Sequence, residues 1–134
     1  MTFLATALLC GVAFAEPVCP VGDAEAEKAG GYTHAVEAAV RDAPDCEQAF
    51  AMLEGCQLGS SADNPLSDIV RAKCEPLFLD KANAATKKAY QKAQGACDKI
   101  AKTDSGTIYQ SFAAVCLAKA SRDFARKSPA AAVK

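Results

Sequence analysis

The chain is expected to be all-α: a small, disulfide-stapled bundle of four or five short helices that ends in an αα-hairpin. Three observations predict this class. The sequence is rich in Ala and poor in β-branched runs. Helix start and stop signals recur along it. Its last third carries two apolar stripes of helical period on either side of the turn Thr103-Asp104-Ser105-Gly106. With 134 residues, 51% hydrophobic and 23% charged, the chain suits one packed domain, and these totals argue against a disordered chain or a strongly basic nucleic-acid binder.

The first segment, residues 1–15, is uncharged and apolar, and Ala13-Phe14-Ala15 places small residues where signal peptidase cuts. It is expected to be a signal peptide cleaved before Glu16, and its length falls short of the roughly 20 residues of a membrane span. No later stretch is apolar enough to cross a bilayer. Leu9 precedes Cys10 where a lipoprotein signal requires a small residue, so a lipid anchor is not expected. The remaining residues, 16–134, form one helical domain, with 127–134 expected as a disordered tail. The implied location is the periplasm or the exterior.

Within that domain Gly30-Gly31 precedes a short helix over 32–41. Pro44 suits a first helical turn, opening a helix over 44–54 that Gly55 ends. A loop follows to Asp63. Asn64 can cap a helix with Pro65 at its first position, running to Glu75 before Pro76. Asn83 caps a helix to about Lys102, with Ala89, Ala93, Cys97, Ile100 and Ala101 on one stripe. The last helix spans 107–126, where Tyr109, Phe112, Ala113, Cys116, Leu117, Ala120 and Phe124 follow the spacing of a buried face. Its many alanines suggest a tightly closed core, without the apolar cavity that a small-ligand carrier would need.

Loss of the leader removes Cys10 and leaves Cys19, Cys46, Cys56, Cys74, Cys97 and Cys116, an even set in a secretory context. Zinc is disfavoured, because the gaps between successive cysteines are 26, 9, 17, 22 and 18 residues. In an antiparallel helical hairpin, facing residues lie symmetrically about the turn. The midpoint of 97 and 116 is 106.5, inside the predicted turn, which assigns Cys97–Cys116. The same rule puts the midpoint of Cys56 and Cys74 at 65, near the break before the next helix, and leaves Cys19 with Cys46 by elimination. A rearrangement such as Cys46–Cys74 would also staple neighbouring helices.

No catalytic constellation is present. His34 is the only imidazole and stands among Tyr32, Thr33 and Glu37, where a solvated surface role is expected. Phosphate-binding loops and the zinc-protease and hydrolase motifs are absent. No enzyme activity, cofactor or metal is expected. Charge carries more information than its net value of -1. Residues 16–66 hold ten acids and two bases, a balance of -8, whereas residues 67–134 hold six acids and thirteen bases, a balance of +7. Either the halves pack together and neutralise each other, or the acidic segment presents Asp42, Asp45, Glu47 and Glu54 to a cationic partner.

The C-terminal third resembles the exported LprI-type lysozyme-inhibitor domain. The residues that carry the likeness are Ala89-Tyr90-Gln91-Lys92-Ala93-Gln94-Gly95-Ala96-Cys97, the turn Ser105-Gly106, the Ala114-Val115-Cys116-Leu117 run and Arg122, about 40 residues in all. The resemblance implies a helical, non-catalytic inhibitor of a cationic secreted protein such as lysozyme. Ser105-Gly106-Thr107-Ile108-Tyr109 also fits the short Ser-Gly-x-x-Tyr pattern of a second lysozyme-inhibitor family, a β-barrel whose loop enters the enzyme cleft. That match adds Ser105, Gly106 and Tyr109 as candidate interaction residues, alongside turn roles for the first two. The alternative is a structural or envelope-associated helical protein with no enzyme target.

Overall fold

Side-chain caps from Asp45 and Asn83 begin two of the helices in the computed structural model, which describes residues 17–128. Six α-helices are found there: α1 Asp23–Ala29, α2 Tyr32–Asp42, α3 Cys46–Cys56, α4 Asp63–Cys74, α5 Ala84–Thr103 and α6 Thr107–Arg126, with a 3-10 turn Glu75–Leu77 after α4. The all-α class and the disulfide staples are as expected. The helix beyond the expected four or five is α1, which is short and buries no residue. Gly30 ends it in a left-handed conformation, φ 78°, and the Gly31 N–H donates back to the Ala26 carbonyl at 2.8 Å. The Gly30-Gly31 pair thus closes one helix before it admits the next. The expected leader and its cleavage point before Glu16 lie outside the described residues, as does all of the expected tail beyond Ser128.

Three boundaries differ from expectation. Asp45, rather than Pro44, sets the start of α3, its Oδ1 accepting from the Gln48 N–H at 2.9 Å. Gly55 does not end that helix but lies inside it. A Cβ there would sit 3.2 Å from the backbone carbon of Val18 and 3.3 Å from the Cys19 nitrogen, so this glycine lets the extended N-terminal segment cross the end of α3. In α4, Asp63 is already helical and Asn64 follows it, because the Asp63 carboxylate is drawn to other donors described below.

The disulfides are Cys19–Cys56, Cys46–Cys74 and Cys97–Cys116, with Cα separations of 4.7, 4.9 and 5.5 Å. The last agrees with the sequence. The expected Cys56–Cys74 and Cys19–Cys46 pairs are corrected, and the rearrangement Cys46–Cys74 is the one present. The physical reason is where the turn falls. Helices α3 and α4 meet at a loop centred near residue 60, which is the midpoint of 46 and 74, whereas position 65 is already inside α4. The first residue of α3 therefore faces the last of α4, and Cys56, next to the loop, takes the N-terminal segment that Gly55 admits.

Packing follows an order of layers. Helix α6 lies against α5, α4 and α3, α2 packs on α1, α3 and α4, and α5 rests chiefly on α6. Val36, Val40, Phe50, Leu53, Leu66 and Val70 fill the centre, each at most 1% exposed. The two last stripes are only partly as expected. Phe124 and Cys116 do turn toward α5, through the Tyr90 ring at 5.2 Å and the disulfide. Phe112, expected inside, is 47% exposed. A second seam of small residues, Ser111, Ala114, Ala118, Ser121 and Ala125, is buried instead. Its 3-4 spacing lets α6 approach α4 closely, and the Ser67 hydroxyl donates across to the Ala114 carbonyl at 2.7 Å. On α5, Ala89 is exposed and Tyr90 is the buried residue. The many alanines suggested a closed core, but a groove of about 720 Å³ separates the start of α5 from the end of α6.

Candidate functional site

Just after the α5–α6 turn, two large apolar side chains one helical turn apart, Ile108 and Phe112, are exposed. Ser105 and Gly106 make the turn and are exposed, and Gly106 adopts φ 115°, which a side chain would resist. Ile108 is 42% exposed and Phe112 47%, while the half-buried Tyr109 ring meets that of Phe112 edge to face at 6.0 Å. Tyr109 therefore belongs to the turn surface as well as to the helix. Ile108 and Phe112 were missed as surface residues. No local signal marks Phe112, because Ser111 turns inward only for a partner forty-eight residues away.

That partner is Asp63. Fully buried at the start of α4, its carboxylate accepts from the Leu58 N–H at 2.8 Å, the Gly59 N–H at 2.9 Å and the Ser111 hydroxyl at 2.6 Å. Three donors in place of water satisfy a buried charge. They also tie the α3–α4 loop to the first turns of α6. Gly59, at φ 70°, lies where a Cβ would be 3.5 Å from Ile108. The exposed cluster thus stands on a rigid base.

The acidic candidates lie elsewhere. Glu47 faces Arg122 and Arg126 of α6, receiving Arg126 Nη2 at 2.6 Å and a second, shorter bond from its Nε. The Glu47 carboxylate, against slight burial and aided by Asp123 and then Glu54, raises the Arg126 guanidinium above its ordinary value. Nearby, burial would raise the Asp123 carboxyl, but Lys119 and Arg122 together hold it below the usual carboxylate range. The Arg122 guanidinium also lies over the Phe50 ring, 4.3 Å from its centre. Asp42 is exposed at the end of α2, Asp45 caps α3, and Glu54 is exposed on α3. The sequence-derived candidates therefore form two groups. Arg126, which meets Glu47, and Tyr109 are about 25 Å apart along α6, at 1.5 Å of rise per residue.

The halves of opposite charge meet mainly through that Glu47–Arg122–Arg126 junction. Asp23, Glu27 and Asp42 on α1 and α2 make no ion pair with another described residue, and neither do Lys87, Lys88, Lys92 and Lys99 on α5. The helices that carry these two sets pack on different neighbours, α1 and α2 on each other and α2 also on α3 and α4, and α5 chiefly on α6.

His34 is exposed in the first turn of α2. All six cysteines of residues 17–128 are in disulfides, and no group of three His, Cys, Asp or Glu side chains there is placed to hold a metal ion. No described helix is long and apolar enough to cross a membrane. The described surface carries an exposed apolar pair after the α5–α6 turn and, on α1 and α2, carboxylates without an ion pair among the described residues. Comparison with protein-family models, with curated proteins and with solved structures gives no match to this chain.

Proposed function

We propose that the chain is an exported, non-catalytic binding protein, similar to lysozyme inhibitors, that docks on a cationic secreted partner such as lysozyme. One observation carries the reading. The carboxylates of Asp23, Glu27 and Asp42 on α1 and α2 stand exposed without an ion pair among the described residues, and the basic α5 packs chiefly on α6 rather than on those helices. A fixed field of one sign attracts and orients a partner of the opposite sign. The exposed Ile108 and Phe112, with the half-buried Tyr109 between them, add an apolar anchor of the kind that dominates protein interfaces. Three disulfides suit an oxidising compartment, in keeping with the expected leader.

Calorimetric titration of the oxidised protein with a cationic lysozyme at low ionic strength tests this. The expected result is a complex of micromolar or tighter affinity that weakens as salt is added. Replacing Asp23, Glu27 and Asp42 by Lys should slow association, and Phe112→Ser should speed dissociation. Absence of binding by the unaltered protein at low salt would overturn the proposal.

A further inference from the structure

The groove at the open end of the bundle lies far from the α5–α6 turn and takes no part in the function proposed above. Its floor is aromatic. Phe78 meets Tyr90 edge to face at 4.9 Å and Phe124 at 5.7 Å, so the rings are fixed against one another rather than free to fall into the space. Leu77 and the small side chains of Ala85 and Ala89 complete apolar walls. At about 720 Å³ the space falls inside the range of roughly 300–1,000 Å³ typical of small-ligand sites.

The rim is cationic. Lys81 and Lys127 line it from opposite walls, one from the turn before α5 and the other from the end of α6, and neither makes an ion pair with a described residue. The Lys127 ammonium is held 5.5 Å above the Phe124 ring, directly over the apolar floor. Among the described residues no carboxylate lines the groove. The hydroxyl of Ser128, on the same wall, is buried without a hydrogen-bond partner among the described residues. An apolar trough with two unpaired ammonium groups at its edge complements one chemistry: a single hydrocarbon chain ending in an anion.

We propose that this groove binds a single-chain fatty carboxylate, its alkyl chain lying against Phe78 and Phe124 and its head group between Lys81 and Lys127. The interaction draws on hydrophobic burial for affinity and on the two lysines for orientation.

The test is calorimetric titration of the oxidised full chain with octanoate, decanoate and dodecanoate, each below its micelle concentration. Affinity should rise with chain length, by up to about fourfold for each methylene buried. The double variant Lys81→Glu/Lys127→Glu, which alters only exposed side chains, should keep its helical circular dichroism and bind dodecanoate at least about tenfold more weakly. Dodecyltrimethylammonium, of the same length and opposite charge, should bind the unaltered protein with a similar loss. Ala89→Trp, which fills the groove from an exposed helical position, should abolish binding. Four outcomes overturn the proposal: no heat with dodecanoate, affinity independent of chain length, the Lys double variant binding like the parent, or association with anionic phospholipid vesicles without any binding of monomeric dodecanoate.

Discussion

Asp63 and Tyr90 show how two polar groups are accommodated in a core made largely of alanine and cysteine. In the sequence Asp63 is one acid among ten in an acidic segment. In the fold it is fully buried and holds a loop to a helix forty-eight residues away through Ser111. Nothing local marks this, because its donors are two backbone N–H groups and a serine brought close only by the tertiary fold. Tyr90 is similar. Its hydroxyl donates to Glu75 Oε1 at 2.6 Å, the same oxygen that accepts from Arg71 Nε at 3.1 Å. Burial, aided by the Glu75 carboxylate and opposed by Arg71, pushes the phenol up to about 12. An unfolded chain releases that proton near pH 10. The stabilisation is therefore complete below pH 10 and is lost as pH rises through about 12, because only the unfolded state gains from ionising in that window. The urea midpoint should fall between these limits, and Tyr90→Phe should flatten the fall while lowering stability by about 1 kcal/mol at neutral pH through loss of the hydrogen bond. An equally steep fall in the variant would place the titrating group elsewhere.

At the scale of the elements, what local chemistry decides was legible and what depends on a neighbour was not. Asn83 caps α5 as read, accepting from the Thr86 N–H at 2.8 Å, and the hairpin symmetry about Gly106 gave the Cys97–Cys116 bridge. The stripe on α6 was legible where it meets α5, yet the seam toward α4 was hidden, since Ser111 and Ser121 count as polar until their partners are known. Gly55 was misread for the same reason. A helix-ending glycine and one that admits a crossing strand look alike in sequence. This distinction yields a paired prediction. Gly95, inside α5, has nothing within 4 Å of a Cβ, so Gly95→Ala should raise stability by about 1 kcal/mol, the usual gain of Ala over Gly in an exposed helix interior. Gly55→Ala carries the same propensity gain but forces the Val18–Cys19 backbone away, and should lower the melting temperature. If the two variants shift the melt alike, the close crossing at Gly55 is not a constraint. The candidate surface was legible in part. Ser105, Gly106 and Tyr109 do lie together, Glu47 is committed to an internal pair with Arg126, and the groove left no mark in sequence because its walls come from three separate segments.

Across the whole molecule the three bridges fasten different layers, one tying the N-terminal segment to α3, one closing α3 on α4, and one joining α5 to α6. In the chain-entropy picture each contributes roughly 3–4 kcal/mol, comparable with the whole net stability of a small domain. They do not contribute equally to unity. Helix α5 is twenty residues long, but only Tyr90 and Cys97 are buried on it, and its packing is chiefly against α6. A layer held from one side by two anchors is a separate opening unit. In native-state hydrogen exchange its amides should open together, at a free energy well below that of α4 and α6, while Cys97–Cys116 keeps the opened helix tethered. Reducing that bridge, or replacing Cys97 and Cys116 with Ser, should drop the protection of α5 and leave that of α4 largely in place. Exchange that stays uniform across all helices would show a single cooperative unit instead. The molecule is thus a stapled core with a detachable outer rod, and its last helix hairpin has a hierarchy of openings as well as a fixed shape.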